Sequence, residues 1–352
     1  MKLPTALKSI LKSRLFNFTV FFSLALILLY YAFRSVNFTH IAEGFREANY
    51  LWISLSLLLA LTAHILRAIR WGYLMEPLGE KPSLGNLFAA VMFGYLANLA
   101  LPRFGEVAKC GSVSRVSKIR FDSLVGTVVV ERAADLAMLL ISTVIIVLIK
   151  IETFGHYIYS KILQPIGQKA IHIEGYKVVI ILVISIAFLL LIWFVVKSNF
   201  FGEKLNGKIK KALKGVLDGL KSIYKTPKVI PFILLSLLIW VSYWLMTWAL
   251  LRATPVTMNL TAWDALFIMV IGSYGMVVPV QGGFGAYHII TASALGLFGI
   301  TYEKGLIFAV ISHESQTLLV IVAGIISLVY LYLSQRKHQA GIIINEASLK
   351  SS

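Results

Sequence analysis

The sequence predicts an all-α, polytopic integral membrane protein with about six to eight transmembrane helices. Two of its apolar segments are broken or re-entrant, and its two halves form an inverted repeat. Three observations point there. Of 352 residues 58% are hydrophobic and 14% charged, with mean hydropathy +0.82, where a soluble domain carries about 25% charged residues. Apolar runs at 16–33, 51–66, 124–149, 178–196, 230–251 and 304–333 approach the roughly 20 residues needed to cross a hydrocarbon core of about 30 Å. No β-barrel alternation accompanies them.

At the N-terminus, Lys2, Lys8, Lys12 and Arg14 precede the first run. That run is longer than a signal h-region and lacks a small-x-small cleavage site, so it reads as a retained span with a cytoplasmic N-terminus. The second run ends in Arg67, Arg70 and Trp71 at the cytoplasmic face, read either as part of the polar site or as snorkelling anchors. The run 86–101 is Gly- and Pro-interrupted and leads into 103–122, which carries Arg103, Lys109, Arg115, Lys118 and Arg120. The segment 197–230 holds nine lysines against Glu203 and Asp218. Both basic segments fall inside, as the positive-inside rule asks, only if 86–101 dips into the membrane and returns. Within 200–228, Leu205, Ile209, Leu213, Leu217 and Leu220 form a stripe with lysines largely off it, as in an amphipathic helix on the cytoplasmic leaflet. The broken run 264–280 and the span 304–333 come next, then a short cytoplasmic tail, 336–352. Residues 1–335 form one transmembrane domain, its halves about 50–150 and 230–333.

An internal repeat supports those halves. "WISLSLLL" (52–59) matches "FILLSLLI" (232–239), "GYLANLALPRFGE" (94–106) matches "GSYGMVVPVQGGFG" (272–285), and "VVVERAADLAMLL" (128–140) matches "AVISHESQTLLVI" (309–321). Charge-derived topology orients the two halves oppositely. Inverted halves with broken segments are the pattern of alternating-access transporters, whose site lies near the midplane.

The polar residues inside apolar runs are the candidate site. Glu131, Arg132 and Asp135 interrupt 124–149, each costing about 2.5–3.5 kcal/mol at a helix centre on insertion scales. Helical spacing is expected to point all three into the bundle, with Arg132 pairing Asp135 at i, i+3. Glu131 is then left for a cation such as Arg70, Arg103 or Lys109. Asn98 lies in the first broken run, and Arg103 and Glu106 follow Pro102. Gln281 precedes Gly282, Gly283 and Gly285, whose amides are expected to form an anion nest. His313, Glu314 and Gln316 lie in the last span, where Thr317 replaces the second histidine of a zinc HExxH motif. No metal or cofactor is expected. The single cysteine, Cys110, excludes an internal disulfide. The net charge of +17 is explained by positive-inside placement, not by nucleic acid.

"GYLANLALPRFGEVAKCG", "VVVERAADL" and "PVQGGFGAYH…SHESQTLL" resemble the membrane region of the lysylphosphatidylglycerol synthase/flippase family, over about 50–333. The resemblance implies a bacterial inner-membrane protein that moves an anionic or amino-acid-modified phospholipid between leaflets. Two departures stand out: Tyr287 and His288 follow the glycines where some relatives have an acidic residue, and the soluble aminoacyl-transfer domain is missing. The expectation is a lipid translocase binding substrate through Arg70, Asn98, Arg103, Glu106, Lys109, Glu131, Arg132, Asp135, Gln281, Gly282, Gly283, Gly285, His313 and Glu314. Its partners are membrane phospholipids, with a second copy or an envelope lipid-modifying enzyme as further candidates. The alternative is a membrane transferase acting on a lipid-linked donor, with Glu131 or Glu314 as base.

Overall fold

The computed structural model describes residues 19, 22–23, 26–34, 38–80, 82–117, 119–150 and 228–351. Its regular structure there is helical throughout, as long apolar runs without alternation require. The expected span 178–196 and the basic segment 200–228, apart from Lys228, lie outside the described residues. The chain divides into two compact units, Met1–Glu131 with Thr226–Ser352, and Arg132–Lys225. The first unit carries the helical hairpins and the buried polar clusters.

After a helical stretch at 26–33 come α1 (Phe38–Glu47) and α2 (Tyr50–Met75). Asn49 starts α2 by accepting the Leu51 N–H on its side chain, satisfying one of the four orphan donors of a helix start. α3 (Leu84–Ala100) begins behind Ser83, which accepts from Asn86 N–H. α4 (Gly105–Ser114) and α5 (Phe121–Ile149) follow, and α6 (Val229–Ala253) opens the second half. α7 (Ala262–Val277) is started by a Thr261–Asp264 capping box, and α8 (Ala286–Leu295) and α9 (Tyr302–Ser351) complete the described chain.

Segments of α2, α5, α6 and α9 are long and apolar enough to cross a bilayer, and only 17–33% of each most apolar window is buried within the protein. The remainder is the surface that acyl chains would cover. α2 and α6, which carry the matched "WISLSLLL" and "FILLSLLI" runs, pack along their lengths. They run antiparallel. Asn49 N–H at the start of α2 donates to Ala253 O at the end of α6 (2.7 Å), while Arg70 near the end of α2 reaches Ser236 near the start of α6.

α3 and α4 fold back on each other as a helical hairpin, and so do α7 and α8. The sequence reason is shared. Pro102 and Pro279 exclude the helical region for the residue before them, and Leu101 and Val278 are accordingly extended (ψ 120° and 130°). The first hairpin closes because its arms meet at glycine. A Cβ on Gly105 would collide with the Gly94 carbonyl oxygen and lie 2.7 Å from Asn98 Cγ. The dip and return expected of 86–101 alone is corrected: Leu84–Ala100 is one continuous helix, and the return arm is α4, within the segment 103–122 expected as a cytoplasmic loop. Leu99, near the end of α3, faces Gly282 in the turn of the second hairpin, so the two turns meet inside the protein.

Candidate functional site

The first polar cluster gathers where α2, α4, α5 and α6 converge. Arg70 is 0% exposed and Glu131 3%. Lys109 Nζ–H donates to Glu131 Oε2 at 2.5 Å, and Arg70 Nη2 lies 3.9 Å from Glu131 Oε1. Arg70 Nη1–H donates to Ser236 Oγ (3.0 Å), and its guanidinium stands 5.5 Å from the Phe232 ring centroid. The Lys109 ammonium rests 3.8 Å above the buried Trp71 ring, whose indole N–H donates to Thr127 Oγ1 (2.8 Å). Glu131 is ten residues into α5, about 15 Å along it. Two cations therefore converge on one buried carboxylate. Such a cluster is costly to desolvate and stabilises little net, but removing one partner strands a buried charge.

Several expectations are corrected here. Arg70 and Trp71 do not snorkel: both are wholly buried where α2, α4, α5 and α6 meet. Glu131, Arg132 and Asp135 do not share one buried face. Glu131 is buried, Asp135 half-buried and Arg132 exposed, because each residue turns the helix by about 100° and that step carries Arg132 onto the exposed side of α5 with Val125, Val129 and Leu136. Glu131 finds its cations in Lys109 and Arg70, whereas Arg103 is exposed at the first hairpin turn. Arg103 adopts φ 62° there, a left-handed conformation that costs a non-glycine residue about 1–2 kcal/mol. Asn98 has a structural task, accepting the Gly105 N–H at the start of α4 (2.7 Å). Glu106, half-buried, is in the first turn of that helix, where a carboxylate is favoured by the helix dipole.

The second cluster lies where the α7–α8 turn meets α9. Gln281 and Gly283 are buried, and Gly282, Gly283 and Gly285 all take positive φ. The expected anion nest does not form in this arrangement. Gly283 N–H goes to Val280 O (3.4 Å), Phe284 N–H to Gln281 O (3.0 Å) and Gly285 N–H to His288 Nδ1 (3.3 Å). The turn instead offers a carbonyl outward, and His313 Nε2 contacts Gly282 O at 2.8 Å. His313 Nδ1 lies 3.1 Å from Glu314 Oε1, and His288 Nε2 lies 3.5 Å from the same oxygen. Tyr287 OH bonds Ser312 Oγ (2.9 Å), and Gln316 donates to Ser56 of α2 (2.9 Å). His313 is 6% and His288 1% exposed, against 35% for the Glu314 side chain.

Sequence reasoning missed His288. Its signal was present: it falls three residues after Gly285, where its ring can reach back to an unsatisfied amide at the helix start. His288, His313 and Glu314 place one donor atom each within 4.8 Å of one another, which are cation-ligand residue types. The hydrogen bonds argue otherwise. His288 Nδ1 accepts from Gly285, so the proton of the neutral ring is on Nε2, and that nitrogen has no lone pair to give.

Residues 15–324 match the family profile described as "Lysylphosphatidylglycerol synthase TM region". No curated protein and no solved structure matches the chain.

Proposed function

The chain belongs to the lysylphosphatidylglycerol synthase TM-region family, and from that premise we propose that it carries a phospholipid between the leaflets of a bacterial inner membrane. Family membership makes it a membrane protein of lipid handling or modification. The finer reading is of a flippase-like translocase, not an enzyme, with an anionic or amino-acid-modified phospholipid as cargo and both termini cytoplasmic.

The observation that carries this reading is the Arg70–Lys109–Glu131 cluster. A lipid headgroup leaving water brings a phosphate that must be compensated. Arg70 and Lys109 already converge on one anion, and guanidinium supplies paired donors suited to phosphate. Phosphate takes the place of Glu131 between them, and the released carboxylate, or the half-exposed Glu314, meets the cationic end of an amino-acid-modified headgroup. Two turns that touch at Leu99 and Gly282, beside antiparallel α2 and α6, support inverted halves rocking about a central site.

The test is flux of headgroup-labelled lipid in liposomes with matched protein incorporation. Lys109→Gln, which leaves Arg70 facing Glu131, should leave an inserted, folded protein whose flux falls about tenfold or more, the factor expected for one lost charge-assisted hydrogen bond. Wild-type flux in that variant, or equal flux of anionic and uncharged probes, rejects phosphate recognition. Recovery of chemically altered lipid would favour the transferase reading.

A further inference from the structure

We propose that His313 and Glu314 bind a shared proton, and that this proton latches the α7–α8 turn in the position observed. The need for it emerges from a count of donors and acceptors. Gly282 O can only accept, so the 2.8 Å contact requires a proton on His313 Nε2. If His313 were neutral, its Nδ1 would then be a bare lone pair. That lone pair would face Glu314 Oε1 at 3.1 Å, and with the carboxylate ionised two acceptors would confront each other. The contact is satisfied only if one more proton resides there, on Nδ1 as imidazolium–carboxylate or on Glu314 as the carboxylic acid beside neutral His313.

The neighbours do not remove the need. Thr317 Oγ1 is 3.4 Å from His313 Nδ1; turning its hydroxyl proton inward leaves the lone pairs of Nδ1 and Oε1 still opposed. On α8, His288 Nε2 lies 3.5 Å from Glu314 Oε1 without a hydrogen bond between them, so it does not supply the missing proton. Tyr287 stands with its ring centroid 5.3 Å from that of His313, its hydroxyl engaged by Ser312. From the turn, Phe284 contributes an aromatic edge contact with centroids 4.9 Å apart. From α2, Ser56 meets Gln316 one helical step away. Either form keeps the proton between His313 and Glu314, with the Glu314 side chain, 35% exposed, as the route by which the proton exchanges with water.

Loss of that proton to water forces a choice. Keeping the remaining ring proton on Nε2 opposes Nδ1 to Oε1, while moving it to Nδ1 opposes Nε2 to Gly282 O. The second outcome breaks the hold on the turn. Proton occupancy and turn position are thus linked, and because Leu99 of α3 abuts Gly282, release is felt by the other hairpin. Twelve residues into α9, about 18 Å along it, the pair is near the middle of a bilayer of about 30 Å. A proton bound there can be exchanged with either side in turn. Its identity as a driving ion rests on the translocase reading; the proton site does not.

Spin labels at Val278 in the turn and at exposed Leu318 on α9, in a Cys110→Ala background and in phosphatidylcholine–phosphatidylglycerol vesicles, report the turn as a distance distribution. The wild type should shift toward a released turn as pH rises, the released-to-latched ratio changing about tenfold or more, as expected for one charge-assisted hydrogen bond. Glu314→Gln should stay latched at every pH, because the amide can donate to His313 Nδ1 without an extra proton. His313→Gln should also be independent of pH. A distance distribution unaffected by pH in the wild type, or a Glu314→Gln profile that follows the wild type, overturns the proposal. Labelled-lipid flux under a pH gradient is read in the same vesicles. A switch without flux keeps the proton site and rejects transport, while flux without a switch does the reverse.

Discussion

In the α3–α4 hairpin the turn after Pro102 gives its left-handed conformation to Arg103 (φ 62°), whereas after Pro279 in the α7–α8 hairpin it falls to Gly282 (φ 55°). The first hairpin closes on direct contact between Gly94 and Gly105 and leans its polar chemistry on Glu131, a carboxylate closed off from water. The second closes around Gly272 and Gly275 against Tyr287 and leans on Glu314, a carboxylate open at one side. The same plan, a helix broken at proline and folded back, thus holds a closed ion cluster in one half and a partly exposed one in the other. Burial, more than residue type, separates the two carboxylates.

The comparison breaks most visibly at the carboxylates. Glu131→Ala removes the carboxylate that buried Arg70 and Lys109 face and should lower stability by about 3–5 kcal/mol, seen as lost expression or a sharply lower Tm in detergent. Glu314→Ala, at a side chain only partly buried, should cost about 1–3 kcal/mol. Equal losses would mean that the two environments are not distinct.

The closure of the first hairpin is probed next. Gly105→Ala puts a methyl group against backbone of the opposite arm and should cost about 1–3 kcal/mol. Gly111→Ala, in the same helix with nothing within 4 Å of its new Cβ, should be neutral or stabilise by up to about 1 kcal/mol. Thermal unfolding of the two variants side by side reads the difference.

Arg103→Gly sharpens the contrast between turns by making the first resemble the second. Relief of the left-handed strain should raise stability by about 1 kcal/mol. If Arg103 is held there to meet phosphate, lipid flux should fall while Tm rises. A gain in both would leave the strained arginine without a task.

The smallest effect concerns the exposed His40–Glu303 pair (2.7 Å) that ties α1 to the start of α9. The hydrogen bond to Glu303 raises the His40 pKa above 6.5. A raised folded-state pKa stabilises fully below the unfolded value and loses that contribution as pH rises through the folded one. Tm should therefore decline slightly between about pH 6 and pH 8, and His40→Ala should flatten that part of the curve. Unlike the His313–Glu314 pair, this one faces solvent, so salt should weaken it.

The long spans were legible because length and hydropathy suffice for a helix that lipid covers. The breaks at Pro102 and Pro279 were legible because proline marks where a run must stop, but the return arm α4 was not, since its basic residues read as a loop. The partners of Glu131 were legible in type, since only a cation can accompany a buried carboxylate, and Arg70 and Lys109 were among the candidates. The orientation of Arg132 was not: one step on a helix is enough to leave a buried face, and the width of that face is set by neighbours distant in sequence. His288 escaped notice for a similar reason, its importance arising from contacts to α9 that no local pattern encodes. The nest failed because positive φ at glycine turns carbonyls as readily as amides toward a neighbour.

Trp71 has a consequence for observation. Its indole is wholly buried with an ammonium 3.8 Å above the ring, and an excited indole shifts its emission with the electric field across it. With the other six of the seven tryptophans replaced, Trp71 becomes an internal voltmeter. If Lys109 slides off the ring toward an arriving anion, the colour of the emitted light changes, with no dye attached and no label near the path.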